Sequence, residues 1–377
     1  MSVQILILSA SNNRQIAEID QYQFLRYTKR WQDLDEFEFQ LSGDTEQGRE
    51  LLSAGVVPSR NSYILNYRLD GTSDFAGLID VSELQKSKSQ KVWTLRGYGL
   101  DRYLSDRPVL PPSGQSQDQY SGRAETLMKS LVARHLINPI TTGINGMTDS
   151  HRAVDLVNEA DAARGLDVSF AGRFQRLDEC LKEIARSGGD LGFSVELVGS
   201  QKEFRVSAGN DRTATAVFAL ELDNIESFNY LEDGLEYANV VIAAGQGEGV
   251  DRLVISRGDG RNSARREIFQ DMRDLQTAEA MERRCEAILA ERAVSLSFTC
   301  TLLPGVRPFY LEDYRLGDLV TIRDDDLGIE EQVRIQEVQV EITGGQEPRV
   351  TPSFGRQRIN VKETFKRLNS SSPSSRV

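Results

Sequence analysis

Hydrophobic and polar positions alternate with a period of two along most of this chain, which predicts many short strands. In the first run Val3, Ile5 and Ile7 fall on one side and Gln4, Leu6 and Leu8 on the other. Both sides carry apolar residues, so this strand is expected to be covered on both faces. Phe37, Phe39 and Leu41 are in phase, and Glu46–Ala54 reads as a short helical turn. Tyr63, Leu65, Tyr67 and Leu69 are again in phase and end at Asp70-Gly71, a hairpin turn. Phe75–Val81 and Lys91–Tyr98 continue the pattern, and such a series predicts a barrel or sandwich. Gly99–Leu104 reads as a short helix. The prolines of Arg107-Pro108-Val109-Leu110-Pro111-Pro112 can continue neither a helix nor a central strand, so a boundary is placed there.

The period then changes. Ser113–Tyr120 reads as a polar loop, and Ser121 as the cap of a helix running to Leu136. Ala124, Leu127, Met128, Leu131, Val132 and His135 form its apolar stripe, and Asn138-Pro139 stops it. Leu177, Cys180, Leu181, Ile184 and Ala185 mark a second helix, with Gly188 expected as a left-handed C-terminal cap. Leu191–Leu197 and Phe204–Ala208 read as a strand pair joined by Gly199–Glu203. Further on, Thr277 is expected to cap a long helix to Arg292, with Ala278, Met281, Cys285, Ile288 and Leu289 buried. In Ala293–Phe354 the alternation returns. Leu316-Gly317-Asp318 turns into the strand Leu319–Arg323, and Asp324–Gly328 is a polar loop. Val333 and Ile335 share one parity while Val338, Val340 and Ile342 share the other, which predicts a β-bulge near Gln336-Glu337.

The stretch Leu231–Gly260 lies where these strand-rich halves meet. Its apolar runs Asn239–Ala243 and Leu253–Ser256 flank Gly245-Gln246-Gly247-Glu248-Gly249, which predicts a hairpin with a wide glycine loop. The loop leads into a strand and not a helix, and no Gly-Lys-Ser/Thr follows. A phosphate site is therefore not expected. A shaped contact loop is, with Asn239, Gly245, Gly247, Glu248, Gly249, Asp251 and Arg252 as candidate interface residues.

Composition narrows the chemistry. The net charge of −12 over 377 residues argues against autonomous nucleic-acid binding, which needs a basic face. Cys180, Cys285 and Cys300 are far apart and form no CxxC, so neither a disulfide framework nor a metal site is expected. Cys180 and Cys285 read as small buried hydrophobes. No run reaches about 18 consecutive apolar residues and no basic-then-apolar leader opens the chain, so neither a membrane span nor Sec export is expected. Asp324-Asp325-Asp326 resembles part of a calcium loop, but Ile329 and Ile335 stand where an EF-hand needs glycine and glutamate. His135 lies on an apolar stripe, and His151 belongs to no metal or triad pattern. Glu232, Asp233, Glu236 and Glu248 cluster near the hairpin, and paired carboxylates can hydrolyse glycans. A cell-wall hydrolase or protease is thus the rival function class, and a carbohydrate-binding module formed by residues 111–208 a further alternative.

Several segments together resemble the siphovirus Gp37-like family of phage tail-tip hub proteins. They include Trp93–Leu104 running into Arg107–Pro112, Glu125–Val132, Phe174–Gly188, and Asn239-Val240-Val241 through Gly245–Gly249 to Asp251-Arg252. Arg266–Asp274, Tyr314–Val320 and Pro352-Ser353-Phe354-Gly355 complete the series. The resemblance implies a β-rich α+β fold with two tail-tube-like β-barrel domains, an inserted α/β domain and a long helix. On this division residues 1–110 form the first barrel and 111–208 the α/β domain. Residues 209–360 form the second barrel, including helix 277–292, and 361–377 a flexible tail. It further implies a homotrimer whose six barrels cap a sixfold tube at the virion tail tip, assembled in the host cytoplasm. The partners implied are a distal tail protein, a tape-measure protein and a spike or fibre, with DNA only in transit through the lumen. The net charge adds the expectation of an acidic lumen. The family carries no catalytic motif, so neither a catalytic residue, a cofactor nor a metal is expected.

Overall fold

The computed structural model describes residues 3–53, 63–139, 149–273, 275, 277–344 and 346–355. The tail expected to be flexible, 361–377, lies outside the described residues. The chain divides into two compact units, one of Met1–Phe228 with Thr299–Phe354 and one containing Asn229–Phe298. The fold is α+β and rich in strand.

Unit one opens with β1 (Val3–Ser9), β2 (Gln15–Ile19), β3 (Phe24–Arg30) and β4 (Glu36–Ser42). The helix α1 (Glu46–Ser53) follows, then β5 (Tyr63–Leu69), β6 (Thr72–Lys86) and β7 (Lys91–Gly99). Their order in the sheet is β2-β1-β5-β6-β7-β4-β3. The sheet rolls up, because Tyr27 of β3 reaches Phe75 of β6 at 4.8 Å and Tyr67 of β5 at 5.4 Å between ring centroids. Register shifts at Ile7/Leu8, Tyr67/Arg68 and Ile79/Val81 supply bulges that sharpen the curl. Phe37 fills the roll by packing its ring over Gly77 and Gly97, where a Cβ would lie 2.8 and 3.0 Å from it.

The doubly apolar first strand now has its cause. Ile5 and Ile7 are fully buried, and Leu6 and Leu8 join a core shared with the helical segment that follows. That segment begins with α2 (Arg102–Ser105), β8 (Asp118–Arg123) and α3 (Ala124–Val132), which continues as a wider turn over Ala133–Ile137. Then come β9 (Val157–Asn158), β10 (Asp167–Gly172), α4 (Leu177–Ser187), β11 (Gly192–Val198) and β12 (Gln201–Ser207). Leu127, Met128 and Leu131 of α3 and Cys180, Leu181 and Ile184 of α4 are buried in one cluster with Leu78, Leu100 and Val109.

Three local expectations are corrected here. Ser121 does not cap a helix; it sits in β8, its hydroxyl 2.9 Å from that of Ser169 across the ladder to β10, and α3 starts at Ala124. The polar stretch before it is thus partly strand. Gly188 is not left-handed (φ −85°); Gly189 is, at φ +101°. Gly188 is needed for space instead, since a Cβ there would lie 2.2 Å from that of Ala124. The β11–β12 turn is tighter than expected, Val198 pairing with Gln201.

The chain goes on through β13 (Val217–Phe218) and β14 (Ile225–Asp233). Unit two contains β15 (Val240–Ala244), β16 (Val254–Gly258), β17 (Glu267–Asp271) and α5 (Ala278–Glu291). The Thr277 hydroxyl accepts the Ala280 N–H at 3.3 Å, so α5 is capped as the sequence reads. The order β16-β15-β17 forms a three-stranded sheet. Val241 and Ala243 meet Met281 and Cys285 of α5 on one face.

Four strands close the described chain: β18 (Ser295–Leu302), β19 (Leu319–Asp324), β20 (Ile329–Thr343) and β21 (Arg349–Gly355). β20 pairs antiparallel with β3, from Glu337↔Arg30 to Thr343↔Phe24, so the first and last strands belong to one sheet of 13 strands. The bulge falls where parity placed it: the β20–β21 register shifts between Ile335 and Glu337. Gln336 is the extra residue, and its carbonyl accepts the Trp31 N–H at 2.9 Å. All three cysteines are buried and free. Among the described residues no helix is long and apolar enough to cross a membrane.

Candidate functional site

The glycine hairpin of unit two is built by its strand ends. β15 and β16 run antiparallel, with Ala244 opposite Val254. The Gly245 N–H donates to the Leu253 carbonyl at 2.8 Å, closing the neck of the loop. Arg252 locks it from within, donating through Nε to the Gly245 carbonyl at 2.8 Å and through Nη2 to the Ala244 carbonyl at 2.7 Å. The same Nη2 reaches Asp271 on β17 at 2.5 Å. Gly245 has no room for a side chain, because a Cβ would lie 2.6 Å from the Met281 sulfur. Gly247 takes φ +113°, which only glycine adopts readily. Asn239 clasps the other end: its side chain donates to the Ala264 carbonyl at 2.8 Å and accepts the Arg266 N–H at 2.8 Å.

The seven candidate residues therefore divide by position. Asn239, Gly245 and Arg252 are internal framework, while Gly247, Glu248, Gly249 and Asp251 form an exposed tip with Val250 fully in solvent. Sequence reading missed β17, which runs parallel to β15, and the exposed Phe269 on it. The Arg265–Glu267 approach to β17 is polar, and the strand's two apolar residues, Ile268 and Phe269, are adjacent, so no period-two alternation marks a strand.

Three of the four carboxylates that suggested hydrolysis have local partners. Glu232 accepts from the Tyr230 hydroxyl at 3.3 Å, Asp233 accepts the Leu235 N–H at 2.9 Å, and Glu236 pairs with Arg292 at 3.2 Å. The Glu248 carbonyl accepts the Asp251 N–H at 3.2 Å, holding the turn of the tip. His135 is fully buried, its Nε2 2.9 Å from Asp118. Among the described residues no cluster of His, Cys, Asp or Glu could hold a metal ion.

Unit one contains a cavity of about 1490 Å³ that sequence reading did not find. Tyr27, Lys29, Tyr67, Asp74 and Tyr310 line it. Lys29 Nζ donates to the Asp74 carbonyl at 2.9 Å and lies 3.3 Å from its carboxylate, which also accepts from the Tyr27 and Tyr310 hydroxyls. Burial pulls the Lys29 ammonium down most strongly of any one cause, but the charges of Asp74, Tyr310, Glu196 and Asp35 together outweigh it and hold the pKa well above the ordinary value. Burial first, and Asp74 second, push the Tyr310 hydroxyl up. The available signal was parity: Lys29 is in phase with Leu25 and Tyr27, a lysine on an apolar face. Its partner lies 45 residues away and left no local trace.

Beside the cavity, Asp35 and Asp101 form a carboxyl pair. Asp101 is buried and its Oδ2 accepts the Asp35 N–H at 2.8 Å, while the Asp35 carboxylate accepts the Arg30 N–H at 2.7 Å. Burial pushes Asp35 up to about 7 against the pull of Lys29 and Arg30. Burial, then the Asp35 charge, hold Asp101 well above the carboxylate range. A raised folded-state pKa means that the folded chain binds the proton more tightly. The stability linked to this pair is thus fully present below the unfolded value of about 4 and lost as pH rises through about 7. Asp101→Asn keeps an acceptor for the Asp35 N–H and removes one charge. Its melting temperature should exceed that of the parent at pH 8 and approach it at pH 5; an equal offset at both pH values would refute the charge assignment.

The family model for Siphovirus ReqiPepy6 Gp37-like proteins matches residues 5–356. The fold matches a tail protein from Neisseria meningitidis MC58 with TM-score 0.60 and 14% identity, covering 95% of this chain and 97% of that one. A 43 kDa tail protein of prophage MuSo2 from Shewanella oneidensis matches with TM-score 0.60 and 12% identity, over 93% and 97% of the two chains. A chain of the Francisella PdpA-VgrG complex matches with TM-score 0.52 and 8% identity over 94% of this chain, which spans 57% of that one. No curated protein matches the sequence. The solved structures share the fold, and the family model spans nearly the whole chain: it belongs to the Siphovirus ReqiPepy6 Gp37-like family.

Proposed function

We propose that this chain is a structural hub protein of a phage, or phage-derived, tail tip. One observation carries the reading: tail proteins of two organisms share its fold over 97% of their own lengths. In this reading three copies form a ring that closes the tail tube and anchors a central spike or fibre. The two groups of strands joined by the β3–β20 ladder act as two tube-like halves, so three chains present six such halves to a sixfold tube. A distal tail protein and the tape-measure protein bind the ring, and DNA passes an acidic lumen without being held. The exposed glycine tip at Glu248–Asp251 is a contact loop. The role is assembly, without catalytic residues or cofactor.

Two measurements test this. Gold labelling of an epitope-tagged copy in purified particles should mark the tail end distal to the head, and the purified chain should have the mass of a trimer of 42.2 kDa subunits. Label on the head, or its absence from the particle, overturns the virion role; a different stoichiometry overturns the ring.

A further inference from the structure

The two 15-residue strands, β6 and β20, adjoin hairpin tips of opposite charge, β6 at its end and β20 at its start. At the β6–β7 tip Lys86 and Lys88 are exposed and have no acidic partner among the described residues, while Lys91 is held by Asp44 at 3.1 Å. Leu84, 42% exposed, lies beside them. At the β19–β20 tip Asp325, Asp326, Glu330 and Glu331 are exposed, and among the described residues one cation, Arg323, answers them through Asp325 at 3.4 Å. Leu327, 60% exposed, crowns that tip. Asp324 is buried and spent on the turn, accepting the Leu327 N–H at 2.8 Å.

A lysine tip is the exception on a chain of net charge −12, and its complement lies on the same chain. Among the described residues no ion pair joins the two tips, so one copy does not satisfy itself. We propose that the lysine tip of one copy docks on the acidic tip of a second copy, Leu84 against Leu327, with the charges fixing register at the rim. Each copy then uses one tip on each side. Such a head-to-tail contact closes into a ring when the rotation permits. The inference rests on the ring reading above and names the surfaces that make the ring.

The test uses the full chain, measured by sedimentation at about 50 mM and about 500 mM salt. Lys86→Glu with Lys88→Glu, and separately Asp326→Lys with Glu330→Lys, should each weaken self-association by about tenfold or more, as should high salt. Combining all four reversals restores opposite signs and should recover the parental midpoint. A second readout does not depend on charge: Lys88→Cys mixed with Asp326→Cys should give a disulfide between copies, the native cysteines being buried. A parental oligomer indifferent to the reversals, a combined variant that stays weak, or no cross-link overturns the tip pairing and leaves the ring reading standing. A parental chain that is monomeric at both salts overturns both.

Discussion

Trp31→Ala should destabilise unit one by about 3–5 kcal/mol, lowering its melting temperature by roughly 10 °C. The ring lies where three parts of the unit converge. A Cβ on Gly192 would lie 2.3 Å from it and one on Gly317 1.9 Å, so β11 and the approach to β19 both press glycine backbone onto the indole. The indole Nε1 donates to the Asp190 carbonyl at 3.2 Å, and the Arg334 guanidinium lies 5.2 Å above the ring. Arg334 itself ties Asp190, Ala208 and Gly317 together through its side chain. Alanine leaves a cavity that two glycine segments cannot fill, because neither has a side chain to move into it. A thermal melt shifted by less than about 2 °C would show that these segments hold together without the indole.

Gly97→Val should be at least as severe, with loss of soluble protein or a fall of more than about 3 kcal/mol. Gly97 lies in β7 between Phe37 of β4 and Ile79 of β6, next to the bulge at Asp80. A Cβ there would lie 1.8 Å from the Leu78 carbonyl oxygen and 3.0 Å from the Phe37 ring. The ring can turn aside, but the carbonyl is backbone and part of the strand. Relief requires β6 and β7 to separate at the point of tightest curl. Gly234→Ala is the matched control, since its nearest neighbour, Tyr237 Cβ, lies 4.0 Å away; it should change stability by less than about 0.5 kcal/mol. A Gly97 variant as stable as this control would mean the curl is not set by that contact.

What the sequence revealed follows the range over which each cause acts. The Gln336 bulge was legible because a one-residue insertion flips every later side chain, and Val338, Val340 and Ile342 record the flip. The Trp31 N–H that donates to the bulge carbonyl was not, because nothing near Gln336 encodes it. Ser121 satisfied the local rule for a helix cap, yet its partner is Ser169, supplied by a strand 48 residues on. The glycine loop was readable from spacing, and the structure then separated framework from tip, which spacing cannot do. Arg252 illustrates this: its role depends on two carbonyls turned inward by the loop itself. Charge counting found the net balance of −12 but not its division between two hairpin ends, which only the fold makes visible.

The β3–β20 ladder has a consequence for how the protein is made. Arg30 and Glu337, linked at 3.0 Å, are 307 positions apart. At about 5–20 residues per second, a ribosome needs roughly 15–60 s after emitting β3 before its partner strand exists. Throughout that interval the nascent chain carries an open edge of alternating apolar residues, the condition under which strands pair with the wrong neighbour. Products truncated before β20 never lose this edge, so the synthesis of β20 also decides whether a molecule is fit to be built into anything larger.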